Sequence, residues 1–446
     1  MKHLLYFFLV AIFLFTNNAW SQTPAHSVSL KEAIETAFAN NLTVQQSGFT
    51  AEAAGVNAQQ AKGNLVPRLG GNINHYLNQG RSIDPASNGY INQQNTTANY
   101  SLNTDVTLFN GFLLMNSLRK SQLTYAATKM EEQQAKDKLM LDVVLAYLQL
   151  LSNTDLLEQA RRQAEVSRQQ VERLVIMNRE GAIKPSDLSD LRGQYANDQL
   201  SLVNAQNALD QSRYTLAQLM NVPYDKTLTV MPVSADQFDT QYGNSPDSIY
   251  QAALEQLAVV KAADLRNQAQ EKAVRAAKGY FYPSLGFGAG LNTNYSSLAT
   301  DANSRKIPYD NQLKNNYGTY IGASISIPIL NNFKYRSQVA LAKIDYKNTK
   351  AIAQTTRIQL HQNIEKDYFN MQASLDKYKI LNDQSDAFAE SFHAAEARFN
   401  AGVGSSVEYL AAKNNLDRAR TNQIVSRYEY LLRIKILDYY QGKQLW

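Results

Sequence analysis

The chain has 446 residues, and its 44 Lys and Arg against 39 Asp and Glu leave a net charge of only +5. The charges are mixed along the sequence without a basic block, which argues against nucleic acid as a partner. There is no cysteine, so disulfides and thiolate metal sites are excluded, and 26 tyrosines in a polar sequence lean towards a bacterial envelope protein.

The first element is a leader. Residues 1–21 read MKHLLYFFLVAIFLFTNNAWS, with a basic start at Lys2 and His3, an apolar run from Leu4 to Phe15 and a small-residue end at Ala19-Trp20-Ser21. That is the anatomy of a secretory signal peptide, predicting cleavage before Gln22. The apolar run of about 12 residues is short of the roughly 20 that span a bilayer. No cysteine follows it, which argues against a lipid anchor. No later run is long and apolar enough to predict a transmembrane helix.

Ser29–Lys62 then reads as a helix of about 34 residues, or ~50 Å. It ends in AKGNLVPRLG (Ala61–Gly70), where Pro67 stops the helix, because proline lacks an N–H and disfavours helix at the residue before it. Beyond Pro67 the period changes to two: Leu69, Ile73 and Leu77 against Asn72, Asn74 and Asn78. A partner strand follows, with Tyr100, Leu102, Thr104, Val106 and Leu108 against Asn99, Ser101, Asn103, Asp105 and Thr107. Leu113–Glu180 contains no Gly or Pro and predicts one helix of about 67 residues, ~100 Å long. A tight turn at Glu180-Gly181-Ala182 leads into a return helix, Ser186–Met220, with a seven-residue period at Leu188, Tyr195, Leu202, Leu209 and Leu216. A strict period of seven is a coiled-coil signal.

After the connector 221–245 the plan repeats. Asp247–Lys278 is a helix ending in AKGYFYPSLG (Ala277–Gly286), which matches the earlier junction at six of ten positions, with Pro283 in the place of Pro67. Leu285, Phe287, Ala289 and Leu291 alternate with Gly286, Gly288, Gly290 and Asn292; Ile321, Ala323, Ile325, Ile327 and Ile329 alternate with Gly322, Ser324, Ser326 and Pro328. Lys334–Asn400 is again free of Gly and Pro. The turn Ala401-Gly402-Val403 and the helix Ser405–Gln441 complete the copy, with heptad positions Tyr409, Leu416, Gln423, Tyr430 and Leu437. The junctions match at an offset of 216, and the Gly181/Gly402 turns and the VTLFNGF/IPILNNF stretches at 221. An internal duplication follows, too long for a solenoid repeat. The expected domains are the signal peptide 1–21, a first repeat 22–220 (strands 68–78 and 98–109, tip 178–188), an equatorial connector 221–245, and a second repeat 246–446 (strands 284–295 and 318–330, tip 399–409).

Strands of about ten residues with one apolar face fit a tilted bilayer crossing. A soluble sandwich makes the same pattern, but both sets of helices are taken up by coiled-coil packing and no element is left to cover the sheet. Four strands per chain leave two open edges, which lipid does not tolerate, so copies must close one barrel. Twelve strands from three chains is the smallest count that holds a water-filled lumen; four chains remain open on this argument. Tyr280, Phe281, Tyr282, Phe109, Phe112 and Phe333, at the helix–strand junctions, read as an interfacial aromatic girdle.

The whole mature sequence resembles the TolC-like outer-membrane efflux protein family. The resemblance rests on the duplicated plan, the AKG…P.L junctions, the Gly-x5-acid turns NREGAIKPSDL (Asn178–Leu188) and FNAGVGSSVEYL (Phe399–Leu410), and the opening SLKEAIETAFANNLTVQQS. It implies a mixed α/β membrane protein, a homotrimer with a twelve-stranded β-barrel continuous with a long antiparallel coiled-coil tunnel across the periplasm. It also implies outer-membrane lipid around the barrel, docking to a periplasmic adaptor (membrane fusion) protein and an inner-membrane RND or ABC pump, and a role as exit duct of a tripartite efflux or type I secretion system. The two tips, with Gly181, Ala182, Asp187, Phe399, Gly402, Val403 and Glu408, are implied to bind the adaptor and close the tunnel. Glu408 is the candidate aperture ring, since carboxylates around a narrow water-filled mouth attract cations. At Asp187, in SDLSDL, helix capping and first-turn electrostatics are the favoured reading; at Glu408 the helix dipole explains an acid as well as a pore-facing role does. This sequence has Ala411 where the family can carry a second acid, Phe399 where it often has tyrosine, and Gly404 where it has a basic latch, which implies fewer charge pairs in the closed state.

Catalytic chemistry is not legible. His3, His26, His75, His361 and His393 form no paired metal spacing, and GFGAG (Gly286–Gly290) alternates in a strand rather than opening a phosphate-binding helix. No enzyme, cofactor or metal is expected. A pore-less periplasmic coiled-coil scaffold and an uptake porin are the alternatives, separated by bilayer conductance and by drug accumulation on deletion.

Overall fold

A computed structural model describes residues 27–83, 88–92, 94–233 and 242–446. The signal peptide and most of the connector's second half lie outside the described residues. The chain divides into two compact units: 27–44, 135–256 and 361–446 form one, and 45–134 and 257–360 the other.

The first unit is helical. β1 (Ser27–Val28) pairs in parallel with β6 (Thr229–Val230), and α1 (Leu30–Asn40) follows β1. The later part of α3 (Leu113–Arg179), α4 (Pro185–Met220), α5 (Pro246–Gln256), the later part of α8 (Lys334–Asn400) and α9 (Ser406–Tyr440) complete it. Both Gly/Pro-free stretches are therefore single helices of 67 residues. Its core gathers Ile34 of α1, Val143, Tyr147 and Leu150 of α3, Leu209 and Leu216 of α4, and Leu431 of α9. α3 also holds the one described helix window apolar enough to cross a membrane by composition, and 56% of that window is buried inside the protein. Of the heptad residues, Leu188, Leu209 and Leu216 in α4 and Tyr409, Leu416, Tyr430 and Leu437 in α9 are buried. Tyr147 links helix to sheet: its hydroxyl lies 2.8 Å from the Met231 carbonyl and 3.1 Å from that of Val28.

The expected 34-residue helices are each broken once. Asn41 ends α1, and its Oδ1 accepts from the amides of Thr43 (3.0 Å) and Val44 (3.3 Å), capping α2 (Leu42–Gly63). A short polar side chain offers the backbone this alternative partner. The second break, at Leu257 between α5 and α6 (Ala258–Gly279), has no side-chain cap.

The second unit holds the sheet. β2 (Arg68–Asn78), β5 (Asn95–Phe109), β7 (Ser284–Ser296) and β8 (Gly318–Ser326) form one antiparallel sheet in that order; among the described residues β2 and β8 carry unpaired edges. Pro67 and Pro283 stand immediately before β2 and β7. The register sorts the faces. Leu69↔Thr104↔Ala289↔Ile321 and Gly71↔Leu102↔Leu291↔Thr319 run across one face; Asn72↔Ser101↔Asn292↔Gly318 and Asn103↔Gly290↔Tyr320 run across the other. The apolar face is bare: Ile73 is 74% exposed and Ile321 78%. β8 ends at Ser326, short of the expected 330, since Pro328 has no amide to give a ladder. β5 starts at Asn95 and carries a register shift at Thr107/Phe109, which breaks the alternation expected to run through Leu108.

In this unit three elements were not expected. A small antiparallel pair, β3 (Arg81–Ile83) and β4 (Tyr90–Asn92), joins β2 to β5. α7 (Tyr309–Asn315) lies against one end of the sheet's apolar face, so the expectation that nothing is left to cover the sheet is corrected at that end. Its hold there is through Thr293, whose Oγ donates to the Leu313 carbonyl at 2.8 Å, and Tyr295, whose ring is 4.7 Å from that of Tyr309.

The turn from β5 into α3 uses left-handed backbone at Gly111 (φ +64°) and Phe112; the turn into α8 uses it at Asn332 and Phe333. A Cβ on Gly111 would sit 2.5 Å from the Gly279 carbonyl and 2.7 Å from Tyr282 Cβ. Gly111→Ala therefore both clashes with backbone and adopts a disfavoured conformation, at a cost of about 1–3 kcal/mol. Lower thermal stability of the sheet unit checks this; an unchanged melting temperature contradicts it. The junction aromatics are exposed, and Phe109 meets Phe112 edge-on at 5.5 Å.

Candidate functional site

Both helix–turn–helix tips lie in the first unit. At the first, α3 runs out at Arg179, and Gly181 (φ +71°) lets the chain reverse: its amide donates to Asn178 O at 3.1 Å and that of Ala182 to Met177 O at 2.9 Å. These bonds close the helix's orphan carbonyls. Pro185 opens α4, fitting the position where a missing N–H is harmless. At the second tip Gly402 (φ +75°) plays the same part, and the amides of Val403 and Gly404 both donate to Arg398 O at 3.1 Å. Ser405 caps α9, its Oγ accepting from the Glu408 amide at 3.2 Å.

The tips face each other across a cleft of about 390 Å³. Ala182, Asp187, Phe399, Gly402 and Val403 line it together with Arg173; Gly181 and Glu408 are not among its lining residues. Arg173 bridges the hairpins, donating to the side chain of Asn400 and, at 3.3 Å, to its carbonyl.

Asp187 is not a cap. Lys184 stands at the N-cap of α4, and Asp187 sits in the first turn, where a carboxylate suits the helix dipole. It also reaches the other hairpin: Ser406 Oγ lies 2.9 Å from Asp187 Oδ1 and 3.1 Å from Asp190 Oδ2, and donates its single proton to one at a time. Glu408 occupies the fourth place of a Ser-x-x-Glu capping box, yet its carboxylate pairs with Arg398 rather than with the Ser405 amide. Arg398 therefore gives Glu408 a basic partner within the same hairpin.

Behind the cleft Phe399 stacks on Tyr409 at 5.0 Å, and Phe392 packs on it at 5.5 Å. Burial, with the charges of Glu396, Asp417 and Asp198, pushes the Tyr409 phenol far above its usual range, and its hydroxyl has no hydrogen-bond partner among the described residues. One turn along α9 is a buried ionic cluster. The Lys413 side chain is 3% exposed and lies 2.9 Å from Asp198 Oδ2 and 2.6 Å from Asp417 Oδ2. Asp198 also accepts from Ser167 of α3 and, at 2.8 Å, from Gln194, so this one carboxylate joins three helices. Burial holds the Asp417 carboxyl above its ordinary range, with the Lys413 charge opposing. Among the described residues no group of acids and histidines has the arrangement of a metal site.

Sequence reasoning found the glycines and the two acids but missed Arg398, Ser406, Asp190, Arg173 and Asp198. Lys413 and Asp417, four apart on one helix, were a legible pair; the contact with Asp198 was not.

The profile of the family described as "Outer membrane efflux protein" matches residues 33–222 and again 249–437. Outer membrane protein TolC of Escherichia coli (strain K12) is 22% identical over 407 residues, covering 91% of this chain and 80% of that protein. That of Salmonella enteritidis is 23% identical, covering 94% and 83%. Among solved structures, CusC aligns with a TM-score of 0.81 at 17% identity over 93% of this chain and 92% of that one. VceC from Vibrio cholerae aligns at 0.80 and 17% over 94% and 97%.

Proposed function

We propose, for a chain that belongs to the outer membrane efflux protein family, that three copies form the exit duct of a tripartite efflux or type I secretion system. The protein is an outer-membrane efflux channel that reaches into the periplasm. On our reading, three four-stranded sheets close one twelve-stranded barrel, and the repeat organisation reflects an internal duplication, 22–220 and 246–446 about a connector at 221–245. The helices form the tunnel, the tips its mouth, and the pump of RND or ABC type supplies the energy through a periplasmic adaptor.

One observation carries this reading: among the described residues, a sheet with two unpaired edges and an apolar face left exposed except where α7 lies on it. Neither survives in lipid unless neighbouring copies pair the edges and acyl chains cover the face. The exposed Leu341, Ile344, Ile352 and Ile358 of α8 support it, since they form an apolar stripe for a second copy to cover. The decisive measurement is the mass of the detergent-solubilised protein together with single-channel recording. A three-chain assembly with unitary currents is expected; a stable single chain without currents overturns the proposal.

At the mouth, each Glu408 is charge-compensated by its own Arg398, so the aperture is only weakly cation-selective. Arg398→Ala frees the carboxylates and moves the reversal potential in a KCl gradient towards cations. Glu408→Gln leaves the arginines and moves it towards anions. Equal reversal potentials in both variants remove these residues from the conduction path.

A further inference from the structure

We propose that the apolar face of the sheet beside α7 is a binding site for an outer-leaflet lipid that carries phosphate on its head group. The proposal rests on the barrel reading above, which is what sets lipid against this face.

The connection from β7 to β8 folds back over the outward face rather than over the polar one. Tyr100, Thr293 and Tyr295 share the apolar face with Ile73, Leu102 and Leu291 by register. All three are held by α7: the Tyr309 hydroxyl meets that of Tyr100, its ring packs on Tyr295, and Thr293 donates to Leu313 O. Gln312, 2% exposed, locks the helix in place. Its Nε2 donates to Ser296 O at 3.0 Å and Ile307 O at 2.8 Å, while its Oε1 accepts from the Ser296 amide at 2.9 Å. Asn316 adds a bond to Asn294 O at 2.9 Å.

Beside this flap, sharing Tyr100 and Thr293 with it, lies a cleft of about 370 Å³ that Ile73, Leu102, Leu291 and Tyr317 also line. Its walls are aliphatic along the strands and phenolic at the end away from the helix–strand junctions. That order, apolar then tyrosine, is how a membrane-embedded surface grades into the head-group layer. The charges come next. Lys314 stands in the last turn of α7, three residues before Tyr317, and Arg305 and Lys306 are exposed on the same connection. The connection carries these three cations against two acids, Asp301 and Asp310, and the Asp301 carboxylate is turned to the amides of Asn303 (2.9 Å) and Arg305 (2.8 Å). An acyl chain fits along Ile73, Leu102 and Leu291, and a phosphate suits the basic residues of the adjoining connection. A head group without net charge gains nothing from them.

The test uses the purified full-length assembly in detergent and native mass spectrometry. The probe is a bisphosphorylated hexa-acyl glucosamine disaccharide, with the same molecule stripped of both phosphates as control. The wild type is expected to retain the phosphorylated probe at least tenfold better than the control. Arg305→Glu, Lys306→Glu and Lys314→Glu together abolish that preference, while Lys314→Arg keeps it. Leu291→Trp, which fills the cleft with every charge intact, lowers retention of both probes. Equal retention of the two probes by the wild type, or an undiminished preference in the triple variant, overturns the proposal. Wild-type conductance is recorded on the same preparation: conduction without probe retention sinks this site alone, and loss of both sinks the barrel reading as well.

Discussion

Lys413→Met lowers the stability of the helical unit by about 3–5 kcal/mol, because removing one partner of a buried ion pair strands the other. Here two carboxylates are stranded, Asp198 and Asp417, in a site where Lys413 itself is 3% exposed. Their remaining donors are Ser167 and Gln194, both on Asp198. Loss of helical circular dichroism in urea at neutral pH measures the effect, and a midpoint within error of the wild type would dismiss the cluster as a structural element. The double variant Lys413→Met/Asp198→Asn recovers part of the loss, since a neutral amide still accepts from Ser167. Asp417 behaves oppositely. Its carboxyl is held above its ordinary value chiefly by burial. Above the unfolded carboxylate range the unfolded chain has released that proton more fully than the folded one, so this group's contribution falls as pH rises through its raised value. Asp417→Asn removes that slope, and at neutral pH Lys413 keeps Asp198 as its partner. The expected result is an unchanged or higher midpoint at pH 7 and a flatter pH profile between acid and neutrality.

The second large effect is on membrane assembly. Ile321 lies on the apolar face of β8 and is 78% exposed. Under the barrel reading, Ile321→Arg places a guanidinium against acyl chains, costing about 2–4 kcal/mol in each copy if it sits near the bilayer midplane. The expected outcome is a protein that is made and exported but missing from the outer-membrane fraction as a heat-resistant oligomer. Ser324→Arg is the control, since Ser324 pairs with Gly286 on the polar face. It assembles normally and makes the lumen more anion-selective. If both arginines are tolerated equally, the face assignment is wrong.

The parts of this fold that were legible in the sequence are those with local causes. Pro67 and Pro283 mark strand starts because a proline's effect is confined to its neighbours. The unbroken 67-residue helices followed from the absence of breakers. Where the cause is tertiary, legibility failed. Nothing around Leu257 signals the break between α5 and α6. The seven residues of α7 are too few to show a helical period, and their position depends on Gln312 finding Ser296. At the tips, Gly181, Gly402 and the acids stood out by type and spacing. Their partners did not, because Arg398 reaches Glu408 only once the turn is closed, and Ser406 reaches Asp187 across more than two hundred residues of chain.

The parallel pairing of β1 with β6 has a consequence for the order of events during biogenesis. Val28 waits for Val230, some two hundred residues later in synthesis, and the core around it also contains Leu445. A nucleus assembled from such distant segments closes slowly, since loop entropy is lost before contact is gained. The polypeptide can therefore thread through an export machinery as an extended string, and this core completes itself only after Leu445 has crossed.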